Sequence, residues 1–270
     1  MIDAHNHLQQ LENPDAILAT CRTQGVRAML TNGTSAKDWP LVAEIARRSG
    51  KQQQQETPLD YPTVIPSFGL HPWQVPERSE NWIEQLEKHL LAFPNAAIGE
   101  CGLDRWKKPF DLPDQIHCLR TQIDLAITHA RPLTIHCLQA WGPLLEVLQS
   151  YPSLPPFLLH AYSGSSEMVP SFAALGAYFS FNGYFLHERK ASVRRTFQQI
   201  PPDRLLIESD APAMLPPPEF ISHPLTDEQN HPANLPLILP PLARLLEIQE
   251  EKLVLSLAKN FQNFTRDLPS

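Results

Sequence analysis

The fold class that the sequence predicts is α/β, in the form of a single (β/α)8 TIM barrel, and three observations predict it. Short β-like apolar runs alternate with longer amphipathic stretches, the pattern of parallel strands joined by crossover helices. Eight such units fit within 270 residues, an ordinary length for one barrel. The first strand is followed by Leu8-Gln9-Gln10-Leu11, where a doubly wound dinucleotide-binding sheet would place Gly-x-Gly-x-x-Gly. Residues 1–270 are therefore expected to form one domain.

The first strand is expected at residues 2–7, and the others at 26–32, 63–70, 97–102, 133–138, 157–161, 177–182 and 205–210. Each is a short run rich in β-branched, aromatic or aliphatic residues. Helical periodicity marks 39–49, 80–93, 115–130, 141–149 and 166–175, with a last helix carrying Ala258-Lys259-Asn260. Glycine is sparse (10) and proline abundant (28), and many prolines fall at breaks, such as Pro201-Pro202 and Pro216-Pro217-Pro218. The glutamine run at 52–55 reads as a solvated loop before the third strand.

The formal charge of −7 leaves no global basic footprint for nucleic acid, so a polyanionic substrate would have to be attracted locally. Four scattered cysteines, without a Cys-x-x-Cys pair, fit reduced thiols. No apolar run approaches the ~20 residues needed to cross a bilayer. A cleaved leader would remove His5 and His7 with it, so the expectation is a soluble cytoplasmic protein with no membrane association and no obligate protein partner.

Barrel chemistry sits at the C-terminal ends of the strands, and titratable residues gather there. The first strand carries His5 and His7, which share a face at i and i+2. The third ends in Gly69-Leu70-His71-Pro72, the fourth in Gly99-Glu100-Cys101-Gly102-Leu103-Asp104, the fifth carries His136, the sixth His160 and the eighth Glu208-Ser209-Asp210. Imidazole and carboxylate suit zinc, manganese or magnesium. His5, His7 and Asp210 come from strands that meet at barrel closure and are expected to hold one divalent ion. His136 and His160 from adjacent strands are expected to hold a second, with Glu100 bridging the two. His71, followed by Pro72, is expected to contact substrate or to support a ligand. Asp3 is expected below His5, orienting a ligand ring, and Glu208 is expected to stand behind the ligands.

Taken in order, these motifs resemble those of the TatD family of metal-dependent deoxyribonucleases. The resemblance extends to His160-Ala161-Tyr162-Ser163-Gly164, Ser209-Asp210-Ala211-Pro212, Pro232-Ala233-Asn234-Leu235-Pro236 and Ala258-Lys259-Asn260. It implies a TIM barrel of the amidohydrolase, metal-dependent hydrolase type, two divalent ions and phosphodiester hydrolysis, often as an exonuclease working from the 3′ end. It also implies metal ligation by His5, His7, Glu100, His136, His160 and Asp210, with His71 on the substrate phosphate. Two departures bear on substrate specificity rather than metal binding. Cys137-Leu138-Gln139 stands where the family usually shows a basic residue, and Arg105-Trp106 replaces an aromatic pair.

Two close ions would acidify a water bridging them, giving a hydroxide near neutral pH, and would offset charge on the phosphoryl oxygens. Asp210 is expected to act as base, and Glu100 to fix the metal spacing. Arg105, Lys107, Lys108, Arg189 and Lys190 offer cations for a strand, and Trp73, Trp106, Tyr162 and Phe185 offer stacking faces, which together favour single-stranded DNA or its 3′ ends. Alternative readings of the same residues are an amidohydrolase-type enzyme or phosphoesterase acting on a small ester or amide, and a metal-bound scaffold without catalysis.

Overall fold

The computed structural model describes residues 1–53 and 61–268. In chain order its elements are β1 (Ile2–Asn6), α1 (Pro14–Thr23), β2 (Ala28–Asn32), α2 (Trp39–Gln53), β3 (Thr63–Phe68), α3 (Trp82–Ala92), β4 (Ala97–Asp104), α4 (Leu112–Thr128) and β5 (Leu133–Leu138). There follow α5 (Trp141–Gln149), β6 (Phe157–Leu159), α6 (Val169–Ala174), β7 (Ala177–Asn182), α7 (Ala191–Phe197), β8 (Leu205–Glu208), α8 (Leu235–Leu246) and α9 (Glu250–Phe264). All eight strands pair in parallel and in sequence order, so the expected (β/α)8 architecture is the observed one. No helix among the described residues is long and apolar enough to cross a membrane.

Several strands stop earlier than their apolar runs. β1 ends at Asn6, β3 at Phe68, β6 at Leu159 and β8 at Glu208, which leaves His7, His71, His160 and Asp210 on the first turns of the loops. The helix at α1 escapes a reading by periodicity alone but has local causes: Pro14 opens it and the Asn13 side chain accepts the Ala16 amide at 3.3 Å. α8 runs through Pro240 and Pro241 because Leu235, Ile238, Leu239 and Leu242 form a buried stripe that outweighs the lost backbone bonds. The glutamine run begins in the last turn of α2 and continues outside the described residues.

The barrel is sealed between β8 and β1 just beyond the end of β8. The Asp210 amide donates to the His5 carbonyl at 2.9 Å, and the His7 amide to the Ala211 carbonyl at 2.7 Å. Asp3 accepts from the Ser209 amide at 2.9 Å and from its hydroxyl at 2.6 Å. Its expected role therefore changes. The carboxylate fastens the seam and also accepts from Asn6 at 3.1 Å, rather than reaching a ligand ring.

Two strands slip register by one residue, β1 between Asp3 and Asn6 and β4 between Ile98 and Cys101. Each slip is a bulge that turns a side chain away from strict alternation, and the residues within them include His5 and Glu100. Gly99 is required in the second, because its φ is +153° and a Cβ there would collide with the Thr134 side chain.

Leu, Ile, Val and Phe fill the layer between sheet and helices, with Phe157, Phe172, Phe179 and Phe181 fully buried. The barrel interior is instead polar. Thr134 donates to Asn32 Oδ1 at 2.6 Å across the barrel, Thr31 to Asn6 at 2.9 Å, Ser67 to the Gly99 carbonyl at 3.0 Å, and Ser180 to Glu208. Buried polar groups are tolerated where they find partners, as these do, and such a network specifies one arrangement.

Asp3→Ala would leave the Ser209 amide and hydroxyl and the Asn6 amide without their acceptor. We expect a loss of at least ~2 kcal/mol of stability, measured as a lower urea midpoint; an unchanged midpoint would show that the seam does not depend on this carboxylate.

Candidate metal centre

Seven titratable residues meet at the C-terminal mouth, and the Glu100 carboxylate lies between two groups of them. Its Oε2 is 3.4 Å from His5 Nε2 and 3.1 Å from His7 Nε2. Its Oε1 is 3.1 Å from His136 Nδ1, 2.9 Å from His160 Nε2 and 3.4 Å from His71 Nε2. Asp210 Oδ1 joins the first group, 3.6 Å from each of His5 and His7 Nε2. The six residues expected as ligands are thus brought together, with one carboxylate oxygen facing each group.

The local chain explains the aim of each ring. His7 Nδ1 is held at 2.7 Å by the Asn32 carbonyl, which turns Nε2 inward, and His5 Nδ1 lies 3.1 Å from the Asn32 amide group. His136 Nε2 is 2.8 Å from Asp104 Oδ2, which turns its Nδ1 toward Glu100. Asp210 sits at φ +51°, in the left-handed region, held there by its amide bond to His5.

Electrostatics separate these groups. Burial pushes Glu100 up, but the surrounding histidines outweigh it and hold its carboxyl well below the usual range. Burial lowers His7, yet its contacts with Glu100 and Asp210 raise it to about 9. His160 is raised well above its ordinary value and His136 is raised, burial in each case being overcome by carboxylate partners. Burial takes His5 and His71 down to about 4. Asp210 is pushed up to about 6, mainly by burial. Without a cation, protons on some of the imidazoles balance the buried carboxylates.

The donor set fits divalent ions. His5 Nε2 and His7 Nε2 lie 3.3 Å apart, and each is 3.1 to 3.6 Å from Glu100 Oε2 and from Asp210 Oδ1; two donors bound to one ion at ~2.1 Å with tetrahedral angles lie roughly 3.4 Å apart. In the second group His136 Nδ1 and His160 Nε2 are 3.2 Å apart, and three protein donors there leave a position open for substrate or water. Among the described residues, the ligand atoms of His5, His7 and Asp210, of His71, Glu100 and His136, and of His5, His160 and Glu208 each fall within 4.8 Å of one another. Among the described residues, buried His160 Nδ1 and Glu208 Oε1 have no hydrogen-bond partner, although they lie only 3.6 Å apart.

Of the expected substrate contacts, His71 lies in the cluster, its ring centroid 4.6 Å from that of His136. Trp106 is 57% exposed and Trp73 39%, with centroids 6.3 Å apart and planes at 32°. Lys107 Nζ stands 4.5 Å from the Trp73 ring, whose centroid is 6.2 Å from His136. Arg105 is exposed on the same loop. Arg189 and Lys190 cluster on the Tyr184 ring beyond β7. Tyr162 is a correction: it is 0% exposed, packs edge-on against Trp141 and Phe179 and donates its hydroxyl to the Ser165 carbonyl at 2.8 Å. It anchors the loop after β6 and offers no stacking face. Phe185 is buried in the same way against Phe181 and Phe197.

Residues that strand-end reasoning missed support the cluster from behind. Asn32 holds both His5 and His7. Two buried glutamines of α4, seven residues apart, each pair with both backbone groups of one residue at or just beyond the end of a strand. Gln122 clamps Leu70 at 2.7 and 3.2 Å, and Gln115 clamps Asp104 at 2.8 and 3.0 Å. The signal available for them was two amides on what is otherwise the apolar face of a helix.

Comparison with known proteins gives a consistent result. A sequence model described as TatD related DNase matches residues 2–266. The chain is 31% identical over 242 residues to a protein of Salmonella typhimurium named 3′-5′ ssDNA/RNA exonuclease TatD, with 87% of this chain and 86% of that one covered. It is also 31% identical over 237 residues to a protein of the same name from Cronobacter turicensis, covering 85% and 83%. Among solved structures, a TatD homologue of Escherichia coli superposes with a TM-score of 0.85 at 24% identity, over 98% and 97% of the two chains. A TatD family hydrolase of Entamoeba histolytica gives 0.84 at 20% identity, over 98% and 97%.

Because His7 is raised to about 9, it carries a proton at neutral pH that an incoming ion must displace. Metal uptake should therefore release protons and strengthen as pH rises, the effect fading above about 9. Calorimetric titration of Mn²⁺ in buffers of different ionisation enthalpy checks this; heats independent of the buffer would contradict it.

Proposed function

The chain belongs to the TatD related DNase family, and from that premise we propose that it is a divalent-metal-dependent hydrolase that removes nucleotides from the 3′ end of single-stranded DNA or RNA. The observation that carries the reading is the position of Glu100, with one carboxylate oxygen toward His5 and His7 and the other toward His136 and His160. That arrangement suits two magnesium, manganese or zinc ions sharing one ligand, with Asp210 completing the first set. The names of the relatives support the substrate class and the polarity.

Bound ions would make water acidic enough to attack near neutral pH and would neutralise charge on the phosphoryl oxygens. The protein's own groups do the rest. Asp210, beside His5 and His7 at the mouth, is placed to accept a hydrogen bond and the proton of the attacking water. His71 Nε2 faces the same mouth and is placed to donate to a phosphate oxygen. Trp73 and Trp106 offer faces to unstacked bases, and Lys107 and Arg105 offer charge to the backbone. Base stacking tolerates any sequence, as a degrading exonuclease requires.

The test is an end-labelled single-stranded oligonucleotide incubated with and without Mn²⁺ or Mg²⁺. Progressive shortening from the 3′ end, absent with chelator, is expected; turnover of nitrophenyl phosphate with the oligonucleotide left intact would overturn the reading. Glu100→Ala and Asp210→Ala should each reduce cleavage to the chelator background while the far-UV spectrum is retained. Trp106→Ala should raise KM for the oligonucleotide with little change in kcat, by the roughly 1–3 kcal/mol that one stacked base contributes.

A further inference from the structure

We infer that Asp104 is a positioning residue that sets two things with one buried carboxylate: the orientation and tautomer of His136, and the loop that presents Trp106 and Lys107 to a strand. The inference rests on the proposed metal-dependent action on single-stranded nucleic acid. Oδ2 lies 2.8 Å from His136 Nε2. A carboxylate accepts there, so the proton of the neutral ring stays on Nε2 and Nδ1 is left bare, 3.1 Å from Glu100 Oε1. Oδ1 accepts from the Trp106 amide at 2.7 Å and the Lys107 amide at 2.9 Å, which bends the chain directly after β4. The bend brings Trp106 beside Trp73 and Lys107 over its ring.

Asp104 has little freedom to do anything else. It is fully buried, its backbone is held at both ends by the Gln115 amide, and β4 pairs with β5 through the Asp104–Leu138 register. His136 lies on that adjacent strand, so the carboxylate spans from one strand to the ring of the next and from there to its own loop. A shift of either oxygen would move a metal ligand and a substrate contact together. The two oxygens nevertheless have distinct partners, and the task toward His136 can be removed while the task toward the loop is kept.

Asp104→Asn keeps an oxygen for the Trp106 and Lys107 amides but presents an N–H to His136 Nε2. The ring proton then moves to Nδ1, the nitrogen needed for the ion. Asp104→Ala removes both tasks. Titration of Mn²⁺ alone into chelator-treated protein, followed by calorimetry, reads the first task; binding of a short single-stranded oligonucleotide to the chelator-treated protein, followed by tryptophan fluorescence, reads the second. We expect Asp104→Asn to weaken one Mn²⁺ step about 10- to 100-fold while oligonucleotide binding stays within about twofold of the parent, and Asp104→Ala to weaken both. An Asp104→Asn isotherm that matches the parent overturns the inference, as does equal loss of oligonucleotide binding in the two variants. A parent protein that takes up no Mn²⁺ overturns the proposed function, and this inference with it; a parent that binds while the Asn variant matches it overturns the inference alone.

Discussion

The rest of the site depends on the burial of one negative charge. Glu100 is 2% exposed, and a carboxylate taken out of water costs several kcal/mol unless oppositely charged or donating groups surround it. Here His5, His7, His71, His136 and His160 all lie within 3.4 Å of its oxygens. They come from four different strand ends besides its own, so the stabilisation is available only in the closed barrel. The same packing crowds basic nitrogens to 3.2 and 3.3 Å of one another, a separation that two neutral lone pairs do not favour. Protons or metal ions between the donors relieve both problems, and the protein holds the donors ready for either.

Holding them ready is the work of the polar barrel interior. A barrel is commonly filled by branched aliphatic residues, whereas this one carries Asp3, Asn6, Thr31, Asn32, Ser67, Thr134, Ser180 and Glu208 beneath the mouth. Hydrogen bonds are directional where apolar contacts are not, so the layer fixes angles as well as distances. Asn32 illustrates the effect. Its side chain receives Thr134 from across the barrel and contacts His5, while its carbonyl holds His7. A substitution far below the mouth would thereby reach His5 and His7 through two bonds.

The barrel and the cluster of donors at its mouth were legible because strand alternation and strand ends are local properties. His5 and His7 sit two apart, and His136, His160 and Asp210 each follow a short apolar run. The supporting residues were not legible, for a physical reason: their roles depend on register and on distant partners. The bulges that redirect His5 and Glu100 leave no mark in the hydrophobic pattern except Gly99. Asp3 looked like a partner for a ring because it lies two residues from His5, but the bulge and the seam give it to Ser209. Tyr162 and Trp106 both follow strand ends and look alike as aromatic loop residues; only packing against Trp141, Phe172 and Phe179 distinguishes the buried anchor from the exposed face.

The mouth's missing cation has a related explanation. The strand-five loop reads Cys137-Leu138-Gln139, with no basic residue, and Cys137 is buried. The neighbouring loop after β4 brings Lys107 over Trp73, whose ring lies 6.2 Å from His136. Positive charge is therefore supplied to the same side of the mouth from one strand over. Its placement differs in kind, because Lys107 stands on an aromatic face and reaches outward on an exposed loop, where a lysine beside His136 would compete electrostatically with an ion. In a chain of net charge −7, cations placed at the rim attract a polyanionic strand locally while leaving the buried donors to the metal.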